Sequence, residues 1–258
     1  MTTVELNAQI DGPEDGEPLL LGGSLGTTLA MWAPQLPELA RTYRVIRFDH
    51  RGHGRSPAPP GPYAIDDLGA DVLALMDRLG LQRASYAGLS LGGMVGQWLA
   101  INAPERIARL ILISTSAHMP PPEGWHERAA AVRQAGTTAA VADGVLERWF
   151  TPGFTRERPE VVGSYWEMVS ASPAHGYAAC CEAIADLDLR GGLSRIAAPT
   201  VVLVGAQDPS TPPVHAQTIA GSVPGARLEV LDPGAHLLNV ERDQDVTRLV
   251  ADHMGGAA

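Results

Sequence analysis

Cysteine is nearly missing from this chain. Cys180 and Cys181 are the only two, and they are adjacent, so they offer neither a spaced disulfide framework nor a CxxC metal site. A surplus of positive charge is missing as well: the formal charge is -10 with no basic run, which argues against wrapping a nucleic acid. No apolar stretch reaches the roughly 20 residues that span a bilayer. The opening MTTVELNAQIDGPEDGEP is acidic where a secretory signal would be basic and then apolar. These absences lead to the expectation of a cytoplasmic protein in a reducing compartment, without a membrane or nucleic-acid partner. What is present, 45% apolar residues in 258, suffices for one large α/β domain or a core with an insertion.

Short apolar or β-branched runs recur between helical stretches, at Pro18 to Leu21, Tyr43 to Phe48, Ala84 to Ala87, Leu110 to Ser114, Thr200 to Val204 and Arg227 to Leu231. Such alternation predicts a mainly parallel sheet flanked by helices, and runs such as RLILIS and TVVLVG suit strands buried on both faces. The stretch 120–193 breaks the rhythm, being rich in Ala, Glu, Arg and Trp at helical spacing with no convincing strand. It is expected to be a helical cap inserted into a core of 1–119 and 194–258, with MPPPEG at its entry and RGGLSRIAAP at its exit.

The strongest chemical signal is YAGLSLGG, where Gly88, Ser90 and Gly92 form GxSxG between a predicted strand and the helix MVGQWLAIN. A strained strand-to-helix turn exposes such a serine, and small neighbours let strand and helix approach. A serine hydroxyl needs a base, and His236 in LDPGAHLLNVE lies in a turn after the last predicted strand, from which a loop could reach the nucleophile. Asp208, in VVLVGAQDPSTPP, sits just past the carboxyl end of a strand, where open α/β sheets face their ligands. An Asx turn before Pro209 is its bland alternative, and Asp232 is a competing carboxylate too near His236 in sequence to be preferred. The order Ser90, Asp208, His236 is that of the α/β-hydrolase fold. Two backbone donors are then needed for an oxyanion: Leu91 is one, and the loop LGGSLGTT supplies the other, with Ser24 first choice and Leu25 second. The FDHRGHGRS segment has two histidines, but structural hydrogen bonding is the better reading there, because a third metal ligand at suitable spacing is lacking. No metal or cofactor is expected.

The chain resembles the 3-oxoadipate enol-lactonases over nearly its whole length. The resemblance rests on SLGTTLAMWAPQLPELA, DHRGHGRSPAPPGPYAIDDLGADVLALMDRLG, GLSLGGMVGQWLAINAPERI, ERWFTPGF, GAQDPSTPP and GAHLLNVE. It implies a triad at Ser90, Asp208 and His236, oxyanion donors at Ser24 and Leu91, and a small lactone bearing a carboxylate as substrate. The cap should then hold a cation for that carboxylate, for which Arg133 in AAAVRQAG is the candidate, and Trp149 in ERWFTP would shape the pocket or simply pack. Two departures stand out: Gly22-Gly23 precedes Ser24 where relatives carry a bulkier or polar pair, and part of the usual first hairpin is lacking. The competing readings are a general carboxylesterase or cofactor-free perhydrolase of the same fold, and a ligand-binding homologue that hydrolyses nothing.

Overall fold

The computed structural model describes residues 2–256. Its chain runs through β1 (Ala8–Asp11), β2 (Pro18–Gly22), a 3-10 turn at Leu29–Gln35, α1 (Leu36–Leu39), β3 (Arg44–Phe48), α2 (Ile65–Arg78), β4 (Ala84–Leu89), α3 (Leu91–Asn102) and β5 (Ile107–Ile113). Five helices follow: α4 (Glu123–Ala135), α5 (Ala139–Trp149), α6 (Pro152–Glu157), α7 (Pro159–Ser170) and α8 (Ala174–Ala185). The chain then returns through β6 (Thr200–Gly205), α9 (Pro213–Ser222), β7 (Arg227–Leu231), α10 (Leu238–Glu241) and α11 (Asp243–Gly255).

The seven strands lie in the order β1-β3-β2-β4-β5-β6-β7, all parallel except β1, which pairs antiparallel with β3. Period-two alternation sorts their side chains into two cores. Leu20, Ile46, Tyr86, Leu110, Leu112 and Val202 face one side, packed under α2, α3 and α8. Leu19, Leu21, Val45, Ile111, Ile113 and Val201 face the other, against α11, α5 and the 3-10 turn. The central strands β4 and β6 are buried at every residue because helices cover both faces, which is why β6 reads as the apolar run TVVLVG and β4, ASYAGL, carries small, aromatic or aliphatic residues and no charge.

All six strands expected from sequence are present, with ends shifted by up to three residues. The seventh, β1, has no apolar stripe to announce it: AQID is an edge strand whose residues are all partly or fully exposed. Between β5 and β6 the described chain forms helices α4 to α8 and no named strand, only an isolated bridge from His118 to Asp188. These helices lie over the carboxyl end of the sheet, where a cavity of about 40 Å³ is lined jointly by Ser24, Leu25 and Ser90 from below and by Trp125, Arg128 and Arg148 from above.

Candidate active site

Ser90 occupies the turn from β4 to α3 with φ 55° and ψ −112°, a left-handed backbone that costs a non-glycine residue about 1 to 3 kcal/mol. Hydrogen bonds hold it there: its N–H donates to Ile113 O at 2.9 Å, and its carbonyl accepts from Thr115 Oγ1 at 2.7 Å and from Met94 N–H at 3.0 Å. The glycines of GxSxG answer a spatial demand. A Cβ on Gly88 would stand 2.2 Å from Gly92 O, and one on Gly92 would stand 2.2 Å from Gly22 O. Gly22 is also matched to its surroundings, since Tyr86 Oη, itself donating to Gly92 O at 3.0 Å, fills the space a larger residue would need.

Asp208 lies beyond the carboxyl end of β6 and is 3% exposed, so its charge must be met by protein groups. Oδ1 accepts the N–H groups of Ser210 at 2.8 Å and Thr211 at 3.0 Å; Oδ2 accepts Thr211 Oγ1 at 2.8 Å and His236 Nδ1 at 2.8 Å. The Asx-type turn and the histidine contact are therefore both made by the one carboxylate. Burial alone would raise its pKa, but His236 and the hydrogen bonds from His236 and Thr211 outweigh that and hold it below the usual range. Asp232 plays no part in this set.

His236 is buried, and its loop is braced on both sides. Ala235 N–H donates to Glu241 Oε2 at 2.9 Å, and Leu237 N–H donates to Trp149 O at 2.9 Å, so the end of α5 grips the histidine loop. Donation from Nδ1 to Asp208 leaves Nε2 as the acceptor nitrogen. Ser90 and His236 both line the cavity; among the described residues no hydrogen bond joins Ser90 Oγ to the imidazole.

Both oxyanion candidates of the loop after β2 reach the cavity: Ser24 and Leu25 line it together with Ser90. The Ser24 N–H lies 3.3 Å from the weakly accepting Met31 Sδ, and the N–H groups of Leu25 and Leu91 have no acceptor among the described residues. The Ser24 carbonyl accepts the Thr27 hydroxyl.

Arg133 needs a larger correction. Its guanidinium forms a two-pronged ion pair with Glu182 of α8, Nη2 to Oε2 at 2.8 Å and Nη1 to Oε1, and does not line the cavity. The inward stripe of α4 is marked by buried Ala129 and Val132, and Trp125 and Arg128 share that stripe at helical spacing. Arg133, one step past Val132, leaves it. The cations that reach the cavity are Arg128 and Arg148, and no described carboxylate pairs with either. Burial first, and the charge of Arg128 second, lower the pKa of Arg148. Arg128 also stacks over the Trp125 ring at 4.8 Å. Trp149 lines the cavity and packs edge-on against Tyr165, with centroids 6.3 Å apart, so it both packs and borders the pocket. Arg148, its sequence neighbour, was legible only as part of ERWFTP.

A strained serine, an imidazole held by a buried carboxylate, and free backbone donors at the carboxyl edge of a parallel sheet define the hydrolase type of α/β protein. The chain belongs to the alpha/beta hydrolase fold family, whose sequence profile matches residues 17–243. Within it the chain is 43% identical over 241 residues to 3-oxoadipate enol-lactonase 2 of Acinetobacter baylyi, covering 93% of this chain and 90% of that one. The crystal structure of the enol-lactonase from Burkholderia xenovorans is 40% identical with a TM-score of 0.95, covering 98% of this chain and 97% of that one. A hydrolase from Pseudomonas aeruginosa is 46% identical with a TM-score of 0.95, covering 98% and 95% of the two chains.

Proposed function

We propose that the protein is a serine hydrolase that opens 3-oxoadipate enol-lactone, or a closely related small carboxylate-bearing lactone, to the 3-oxo acid. The observation that carries this reading is one cavity containing Ser90, His236 and two acid-free arginines. Similarity to two enol-lactonases supports it. Ser90 Oγ attacks the lactone carbonyl while His236 Nε2 takes its proton, a contact that tightens when substrate fills the gap. Asp208 keeps the imidazole in the required tautomer and stabilises its charged form. The N–H of Leu91 and one from the facing loop, Ser24 first and Leu25 second, receive the charge that develops on the carbonyl oxygen. His236 then protonates the departing enol oxygen, which frees an enol that tautomerises to the ketone, and activates the water that cleaves the acyl-enzyme.

Arg128 and Arg148 hold the substrate carboxylate, a charge-assisted contact worth about 1.5 to 3 kcal/mol. A confined cavity of about 40 Å³ favours a small ring over a long acyl chain. Segment 120–193 acts as the cap that carries this recognition, and the reaction falls within aromatic catabolism by the 3-oxoadipate route. Cys180 and Cys181 are free and buried, which favours a reducing, cytoplasmic setting.

The test is spectrophotometric turnover of 3-oxoadipate enol-lactone beside a neutral aryl ester. Ser90→Ala is expected to lower both by about a millionfold. Equal or better turnover of the neutral ester by the wild type would instead favour a general carboxylesterase, and failure of a fluorophosphonate to label Ser90 would favour a non-hydrolytic binding protein.

A further inference from the structure

Two segments singled out in the sequence, ERWFTP and GAHLLNVE, meet beside His236, and the proposed chemistry uses neither in full. After α5 the chain runs extended through Phe150 and Thr151 before α6 begins. There Trp149 O accepts the Leu237 N–H at 2.9 Å. That N–H shares a peptide plane with the His236 carbonyl, so the bond holds the plane that leaves the histidine. One residue ahead of His236, Gly234 O and Ala235 N–H share another plane. Gly234 O accepts the Gln207 N–H at 2.9 Å, from the loop that carries Asp208, and Ala235 N–H donates to Glu241 Oε2 at 2.9 Å.

Glu241 closes the second tie between the histidine loop and the end of α5. The Ala235 N–H on one side and the Thr151 N–H on the other are both donors and cannot bond each other. Glu241 stands between them: Oε2 accepts Ala235, and Oε1 accepts the Thr151 N–H at 3.2 Å together with the Thr151 hydroxyl. The task needs a side chain that accepts at both ends, which a carboxylate does and an amide, with one accepting atom, does not. Among the described residues no ion pair involves Glu241, and its neighbour Arg242 turns to Asp245 at 2.6 Å. The carboxylate is therefore committed to these three donors, and its charge strengthens each bond. Glu241 does not line the cavity.

We propose that Glu241 is a positioning residue that sets His236 from the side of the overlying helices, by joining the histidine loop to the α5–α6 junction. The base then has two supports: Asp208 and Gln207 from the sheet, and Glu241 with Trp149 O from above. The upper support is made by backbone and the Thr151 hydroxyl, so it is separate from the Arg148 head that faces the cavity. The proposal rests on the hydrolytic reading above, in which His236 is the base.

The experiment compares wild type with Glu241→Gln, Glu241→Ala, Thr151→Val and Thr151→Ser on a neutral aryl ester, so that carboxylate recognition does not enter. Fluorophosphonate titration counts competent sites. Proton NMR follows the low-field resonance of the His236 Nδ1–H bonded to Asp208, assigned by its loss in His236→Ala. Glu241→Gln keeps the bulk but can satisfy only one of the two N–H groups. It should lower kcat per competent site about tenfold, with KM within about twofold and the low-field resonance shifted or broadened. Glu241→Ala should lose more, on the order of tenfold to a hundredfold. Thr151→Val, which removes one donor, should show the same signature at about threefold, Thr151→Ser should restore it, and this pair decides the matter if the Glu241 variants do not fold. Wild-type kcat per competent site and an unchanged resonance in Thr151→Val and in folded Glu241→Gln, whatever the loss in thermal stability, would overturn the positioning role and leave the hydrolase intact. A wild type that neither turns over the ester nor takes up the fluorophosphonate would remove both.

Discussion

The sheet edge and the helices above it contribute to the cavity by different physical means. Below, the groups are set by backbone: a serine in a left-handed turn, two N–H donors and a carboxylate fixed by the turn it closes. Above, the contribution is side-chain charge, two arginines on α4 and α5 whose heads face no acid. The difference teaches that reaction type and substrate choice are separable here, since one depends on where the chain turns and the other on which face a helix presents.

The sharpest way to break this division is at Asp208. Asp208→Asn should keep the fold and lower kcat on the order of ten thousandfold for anionic and neutral substrates alike, because the imidazole loses its tautomer control. The same variant has a stability signature. The folded-state pKa of Asp208 is held below its ordinary value of 3.8, so the stabilisation it brings is present above that value and is lost as pH falls through the lower folded one. Thermal unfolding of wild type and Asp208→Asn should therefore differ most near neutrality and converge in acid.

A smaller effect tests the upper layer. Arg148→Met, which removes charge and keeps bulk, should lower kcat/KM for the anionic lactone on the order of tenfold to a hundredfold and leave a neutral aryl ester within about twofold. Parallel losses on both substrates would show that Arg148 serves the reaction and not recognition. Smallest of all, Arg133→Ala should leave both kcat/KM values within about twofold, because its head is spent on Glu182. Its cost, measured by thermal melt, should be under about 1 kcal/mol, as befits a partly exposed pair.

The sheet was legible because burial on both faces leaves an unmistakable record in sequences such as RLILI and TVVLVG. Ser90, Asp208 and His236 were legible because each follows a strand, and strand ends gather at one edge. The choice between Ser24 and Leu25 was not, since the two N–H groups are adjacent on one loop and both residues reach the cavity. The arginines were misjudged for a related reason. Choosing Arg133 over Arg128 requires the inward stripe of α4, and that stripe is defined by alanine and valine positions too weakly apolar to orient a helix by pattern alone. One cue was available: all nineteen of the residues counted as Lys or Arg are arginines, so any carboxylate site had to be built from guanidinium groups.

Two like charges on one wall also make the pocket a sink for small anions in solution. Halide, formate or a buffer carboxylate would gather there despite the formal charge of -10, because an ion that sits between Arg128 and Arg148 relieves their mutual repulsion at close range while the distant acidic surface is screened. The enzyme should accordingly respond to which salt is dissolved as well as to how much.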